Sequence, residues 1–263
     1  MTVRTATKKD ARGPSPRRHL RSSRKRRPSS RKRVLAVDVG GTHVKMRVSG
    51  RRETREFESG PKLGPSDMVA HIHEMTGDWV YDAVSMGYPG VVLHGVIMSE
   101  PHNLASGWVA FDFRKAFGRP TRILNDAAMQ AIGSYEGGRM LFLGLGTGLG
   151  SCLIVDGIVA PMELAHLSFK KGRSYEAYLG VQGLRRLGAK KWRRTVADVV
   201  GKLSAAFEVD YVVLGGGNAR KLKRLPRNAR LGSNEFAFTG GFRVWRDVPQ
   251  AAAKPSKRIL AIW

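Results

Sequence analysis

Carboxylates are scarce in this chain: 21 Asp and Glu stand against 46 Lys and Arg in 263 residues, a formal net charge of +25. That balance favours a polyanionic partner or an anionic substrate, although a merely cationic surface is the plainer reading. Cysteine is nearly absent. The single Cys152 excludes an internal disulfide and any cysteine-based zinc cluster, and it fits a reducing compartment. It sits in the apolar run Cys152-Leu-Ile-Val155, where a buried, inert thiol is expected rather than a nucleophile. No apolar run approaches a membrane span, and no apolar core follows the basic N-terminus as in a secretory signal. The expectation is a cytoplasmic protein with no membrane partner, long enough for one large or two small domains.

The charge is unevenly placed. Residues 1–33 hold 14 Lys and Arg and one acid, Asp10, a net of +13, which leaves +12 for the other 230. Residues 1–32 are rich in Arg, Lys, Ser and Pro and too poor in apolar side chains to offset the entropy of ordering, so they read as a disordered basic tail. Such a tail would suit nucleic acid or another polyanion; the plainer readings are a dispensable extension or a misplaced start, and an organelle transit peptide has a similar composition. Residues 247–263 read as a second, loose basic tail.

Order is expected from Arg33. Two strand-like runs flank Asp38-Val-Gly-Gly-Thr42, a carboxylate at a strand end beside a turn of free backbone N–H groups. Such a turn suits Mg²⁺ and phosphate oxygens, and it also suits a plain hairpin. A strand over Thr54–Phe57 follows, then a helix capped by Ser66 with Met68, Val69, Ile72, Met75 and Trp79 at helical spacing. Val80–Met86 reads as a strand running into Gly87-Tyr-Pro-Gly90, and Val91–Met98 as a further β segment. The loop from Ser99 to Trp108 mixes polar groups with large apolar ones, as a sugar site does. Asp126 then stands where an apolar run ends and a helical pattern begins, the place where α/β folds keep their chemistry. Met140–Leu145 reads as a buried strand delivering Gly146-Thr-Gly-Leu-Gly150, either a phosphate cradle or an ordinary tight turn. Glu163 and His166, three apart, would share a face in a helix or turn. The stripe Trp192, Val196, Val199, Val200, Leu203 and Phe207 marks an amphipathic helix over 191–207. It leads to the strand Tyr211–Leu214 and the turn Gly215-Gly-Gly-Asn218 ahead of a helical Ala219–Leu222, an arrangement suited to a phosphate or nucleotide.

The order of these motifs carries more than any one of them. Asp38-Val-Gly-Gly-Thr42, Gly87-Tyr-Pro-Gly90, Asn103 with Trp108, Leu124-Asn-Asp126, Leu145-Gly-Thr-Gly-Leu-Gly150, Glu163-Leu-Ala-His166, Glu176 in Ser-Tyr-Glu-Ala-Tyr, and Val213-Leu-Gly-Gly-Gly-Asn218 follow one another as in the ROK family of sugar kinases and regulators. The chain resembles that family over about residues 33–246, and most of all its polyphosphate glucokinases.

The resemblance implies an α/β, actin-like ATPase (ribonuclease H-like) fold, with two α/β domains, 33–124 and 125–246, around a cleft. It implies a hexose kinase that transfers a phosphoryl group from polyphosphate or ATP to the 6-hydroxyl of glucose or a related hexose. Asp126 would be the general base, ionised at neutral pH if its pKa is the ordinary one of about 3.9. Asn103, Asn125, Glu163, His166 and Glu176 match the family's sugar-binding positions. Gly40, Gly41, Thr42, Gly146, Thr147 and Gly148 would hold phosphates, and Gly215, Gly216, Gly217 and Asn218 match the adenosine-side turn. Asp38 would act on Mg²⁺ through water. The family's cysteine-rich zinc motif is absent, so no zinc is expected. Ala165 replaces a glycine of the family pattern, and if that position needs a positive φ the sugar-binding pair would shift. The alternative is a weakly catalytic sugar sensor or regulator that contacts nucleic acid through residues 1–32; the sequence leaves a homodimer open.

Overall fold

The computed structural model describes residues 32–246; the tails read at 1–32, Lys32 apart, and at 247–263 lie outside the described residues. The described chain opens with β1 (Val34–Val39), whose residues are buried on both faces, Asp38 being half-buried, the pattern of a central strand. It turns through Gly40–Thr42 into antiparallel β2 (His43–Val48), which sets Lys45 opposite Asp38, and β3 (Arg55–Glu58) extends that edge. After α1 (Pro65–Met75), β4 (Ala83–Tyr88) pairs parallel with β1 on its other side. A hairpin of β5 (Val92–Leu93) and β6 (Val96–Ile97), then α2 (Phe113–Phe117), lead to β7 (Thr121–Asn125), parallel to β4. The sheet order is β3-β2-β1-β4-β7.

A second sheet repeats this plan. α3 (Asp126–Ser134) is followed by the antiparallel run β8 (Arg139–Leu145), β9 (Leu149–Val155) and β10 (Ile158–Met162). The small pair β11 (Ser168–Lys170) and β12 (Arg173–Ser174), α4 (Tyr175–Leu179) and α5 (Val181–Phe207) intervene. Then β13 (Tyr211–Gly215) and β14 (Ala229–Leu231) add in parallel, giving β10-β9-β8-β13-β14. In both sheets the first strand is central and its hairpin to the second carries a glycine turn, Gly40–Thr42 in one and Gly146–Gly148 in the other.

The last helix, α6 (Glu235–Arg243), packs on α3 and on β1 and β4, while α3 also lies on β8 and β9. The two helices touch backbone to backbone. A Cβ at Gly133 would collide with the Phe236 carbonyl, and one at Gly240 with the Met129 carbonyl. Arg243 donates from Nη1 to the carbonyls of Ile132 (2.7 Å), Gly133 (3.0 Å) and Tyr135 (3.0 Å), satisfying groups that the end of α3 leaves open. Cys152 is buried, as its apolar neighbours imply. Among the described residues no helix is long and apolar enough to cross a membrane.

Four sequence expectations are corrected here. α1 starts at Pro65 with Gly64 at the cap position, because proline's fixed φ and missing N–H suit the first turn, so Ser66 lies inside the helix. Val91–Met98 is a hairpin, not one β segment, since His94 (φ 51°) and Gly95 (φ 76°) turn the chain. α5 begins ten residues before Lys191 and is broken at Gly188 (φ 72°), which interrupts the apolar stripe. The segment after Asn218 is a single 3₁₀ turn, Ala219–Lys221.

Candidate active site

The carboxyl ends of β1, β4 and β7 lie side by side and carry Asp38, Gly87 and Asn125, with Asp126 opening α3. Gly87 keeps the gap between the two acids open: a Cβ there would be 3.5 Å from Asp38 Oδ1, 3.4 Å from Asp126 Cα and 2.6 Å from Met129 Cε. The acids therefore converge across one glycine. Burial pushes the Asp126 carboxyl up to about 7, with the Asp38 charge adding to it and the Ala127 N–H (2.7 Å) opposing it. Burial likewise lifts Asp38 to about 6, against the pull of Lys45. An ordinary pKa for Asp126 is thus overturned, because the fold withdraws it from water beside a second acid. Lys45, missed in the sequence, was legible in principle, since a tight hairpin after Asp38 places it directly opposite.

The first glycine turn is held by Ser59, whose hydroxyl donates to the Gly40 carbonyl (2.6 Å) and whose N–H donates to that of Thr42 (2.9 Å). Asn103 lies against this turn, its Cβ 3.2 Å from where a Gly41 Cβ would be. Its loop is fastened by Glu100, whose carboxylate accepts from the N–H groups of Trp108 (3.0 Å) and Val109 (3.1 Å). Asn125 is used structurally at both ends of its amide: Oδ1 accepts from Ala128 N (3.1 Å) as the cap of α3, and Nδ2 donates to the Gly90 carbonyl (3.1 Å).

On the other sheet, Glu163 and His166 are both exposed and flank the 3₁₀ turn Leu164–His166, with Oε2 and Nε2 3.8 Å apart. Glu163 keeps its side chain 44% exposed, yet partial withdrawal from water raises its carboxyl, His166 lowers it and Glu176 raises it; Glu163 in turn adds to the upward push on Asp126. Ala165 has a negative φ, so no left-handed residue is needed and the anticipated shift of the pair does not arise. Glu176 lies beside the second glycine turn, where it accepts from Leu149 N (3.4 Å) and where a Gly148 Cβ would be 2.5 Å from its Oε2. Thr147 is exposed, and its carbonyl accepts from Val181 N (3.1 Å), the first amide of α5. Gly215–Asn218 closes on the same turn, Asn218 donating from Nδ2 to the Gly146 carbonyl (2.9 Å) and from N to that of Leu145 (2.9 Å).

Among the described residues no group of three or more His, Cys, Asp or Glu is arranged to hold a metal ion. Asp38, at the end of β1 beside the first glycine turn, offers a hard oxygen donor of the kind Mg²⁺ takes directly or through water.

Residues 34–161 match the model of the ROK family. The polyphosphate glucokinase of Mycobacterium leprae is 27% identical over 219 residues, 74% of this chain and 67% of that protein. An inorganic polyphosphate/ATP-glucomannokinase from Arthrobacter sp. strain KM superposes with a TM-score of 0.70 at 22% identity, over 81% of this chain and 98% of that one. A ROK family glucokinase from Streptomyces griseus, solved with glucose and AMPPNP, does so with 0.64 at 17% identity, over 81% and 98%. The fold is the actin-like ATPase fold, with its duplicated mixed sheets.

Proposed function

We propose, from the match of residues 34–161 to the ROK family, that the chain is a glucokinase-type sugar kinase, transferring a phosphoryl group from polyphosphate or ATP to the 6-hydroxyl of glucose. The observation that carries this reading is the approach of Asp126 and Asp38 across Gly87, with the first glycine turn following Asp38 and Gly150, at the end of the second, against Ala127 beside Asp126. Asp126 accepts the proton of the attacking hydroxyl. Its raised pKa brings it closer to working pH than an ordinary aspartate, which suits a base that must take up a proton in the transition state. Asn103, Glu163, His166 and Glu176 hold the sugar hydroxyls, while Asn125 shapes the site by capping α3. Backbone N–H groups at Gly41–Thr42 and Thr147–Gly148 hold the donor phosphates, those of Gly40 and Gly146 being bonded to carbonyls of their own turns, and Gly215–Asn218 borders the donor on its far side. Asp38, through water, would hold Mg²⁺, which supplies charge neutralisation to the transferring phosphoryl group. The rest is positioning, the main currency of this reaction class.

The test is to incubate the protein and Mg²⁺ with glucose, mannose or N-acetylmannosamine and either donor, and to assign the product by ³¹P NMR. Phosphorylation at the 6-position of glucose is expected. Binding of sugar with no product from any pair would replace this reading with that of a sugar sensor.

A further inference from the structure

Away from the cleft, the C-terminal ends of α1 and α2 and the segment Trp79–Tyr81 that enters β4 enclose a cavity of about 370 Å³. It lies at the end of β4 opposite to Gly87, and the strand from Ala83 to Gly87 alone puts about 13 Å between it and the two acids. Trp79 and Phe117 are buried in its wall, 5% and 3% exposed, and Tyr81 adds a third ring. Trp79 Nε1 is a buried donor with no hydrogen-bond partner among the described residues, a group that folded chains normally satisfy.

The polar groups around the cavity favour an anion. Arg119 donates from Nε to the Tyr81 carbonyl (3.4 Å) and from Nη1 to the Gly118 carbonyl (3.1 Å), which fixes the exposed guanidinium and leaves Nη2 without a partner among the described residues. No Asp or Glu lines the cavity, and Asp78, between two residues that do, is held by Arg55 (Oδ2 to Nη2, 2.9 Å). Helix C-termini repel anions through open carbonyls, but several here are already taken. That of Ile72 accepts from Thr76 N (2.9 Å) and the Thr76 hydroxyl (2.6 Å), that of Met75 from Arg55 Nη1, and that of Ala116 from His73 Nε2 (3.2 Å).

We propose that this cavity is a ligand site of its own, separate from the phosphotransfer site, for a small aromatic anion: one flat ring carrying a single carboxylate or phosphate. The volume is near the lower end of the range, about 300–1,000 Å³, in which small molecules bind. The rings of Trp79, Tyr81 and Phe117 offer the flat part an apolar wall, while Arg119 Nη2 and the Trp79 N–H are the donors left for the oxyanion. Arg119 is the single Lys or Arg in the wall, which matches one oxyanion and not a chain of phosphates. The inference does not rest on the kinase reading.

The test uses the full chain with ¹⁵N-labelled tryptophan, titrated with 4-hydroxybenzoate and with AMP, the carboxylate and phosphate forms of the ligand. Inorganic phosphate, which has no ring, and benzamide, which has no charge, are the controls. Trp79→Phe assigns the Trp79 indole signal. At least one ring anion should move that signal downfield while the indole signals of Trp108 and Trp192 stay, and both controls should bind at least about tenfold more weakly. Arg119→Gln, a change at an exposed side chain, should raise the Kd of that anion roughly tenfold and leave turnover of glucose within about twofold. Should Trp79→Phe not fold, calorimetry on wild type and Arg119→Gln decides by itself. No shift of the Trp79 signal with either ring anion, or equal affinity in wild type and Arg119→Gln, would overturn the proposal; AMP that moves other indole signals and leaves that of Trp79 in place would count against it in the same way.

Discussion

Asp126 is the residue on which position and electrostatics bear together. Its carboxyl is raised above the ordinary 3.8 to about 7 by burial and by the Asp38 charge, and that of Asp38 to about 6 by burial against the pull of Lys45. In its proposed role as base Asp126 must be ionised, so kcat/KM should climb with pH through about 7 and level off above it, which a pH–rate profile checks. For stability the sign is opposite. Groups with raised folded-state pKa values stabilise fully below about pH 4 and lose that contribution as pH rises through about 6 and 7. Without ligands, the wild type should lose on the order of 2 kcal/mol over that window, and Asp126→Asn should lose less, as melting temperatures against pH would report. Gly87→Ala separates site from scaffold: its methyl meets the flexible Met129 end and the two acids, so kcat should fall roughly 100-fold while stability drops only about 1 kcal/mol. At this scale the sequence was informative where chemistry is local. Asp38 with its turn, and Asp126 at a strand–helix junction, could be read from neighbours alone, whereas the raised pKa values depend on contacts between residues 88 positions apart.

The elements were legible in proportion to their hydrophobic period. β1, β4 and β8 are apolar runs of strand length, and the stripe of α5 from Trp192 onward is regular. The first part of α5 escaped because Gly188 breaks that period, and β11, β12 and β14 are too short to show one. α6 escaped for another reason. Its Thr239-Gly-Gly241 looks like a turn, yet glycine is what lets α6 meet α3 at backbone distance. Gly240→Ala should therefore destabilise the protein by more than about 3 kcal/mol, since a carbonyl rather than a movable side chain stands in the way. Urea unfolding measures it; a cost under about 1 kcal/mol would mean that the helix pair relaxes easily.

At the scale of the whole molecule, the two sheets share one plan, and each offers a glycine turn at the hairpin of its central strand. The eight ordered motifs made this architecture legible through the resemblance they carry, but the repeat itself was not, because the two halves share topology rather than sequence period. The basic residues before Lys32 belong to no motif of the site, so their deletion should leave glucose turnover with ATP within about twofold while reducing salt-sensitive binding of polyanions. The central claim is that Asp126 serves a sugar phosphotransfer site. The most direct measurement is glucose 6-phosphate formation by the wild type and Asp126→Asn with each donor, alongside glucose binding by both. Turnover that falls by at least about 10³-fold in the variant, with binding kept within a few-fold, is the predicted result. Comparable turnover in the two proteins would contradict the account.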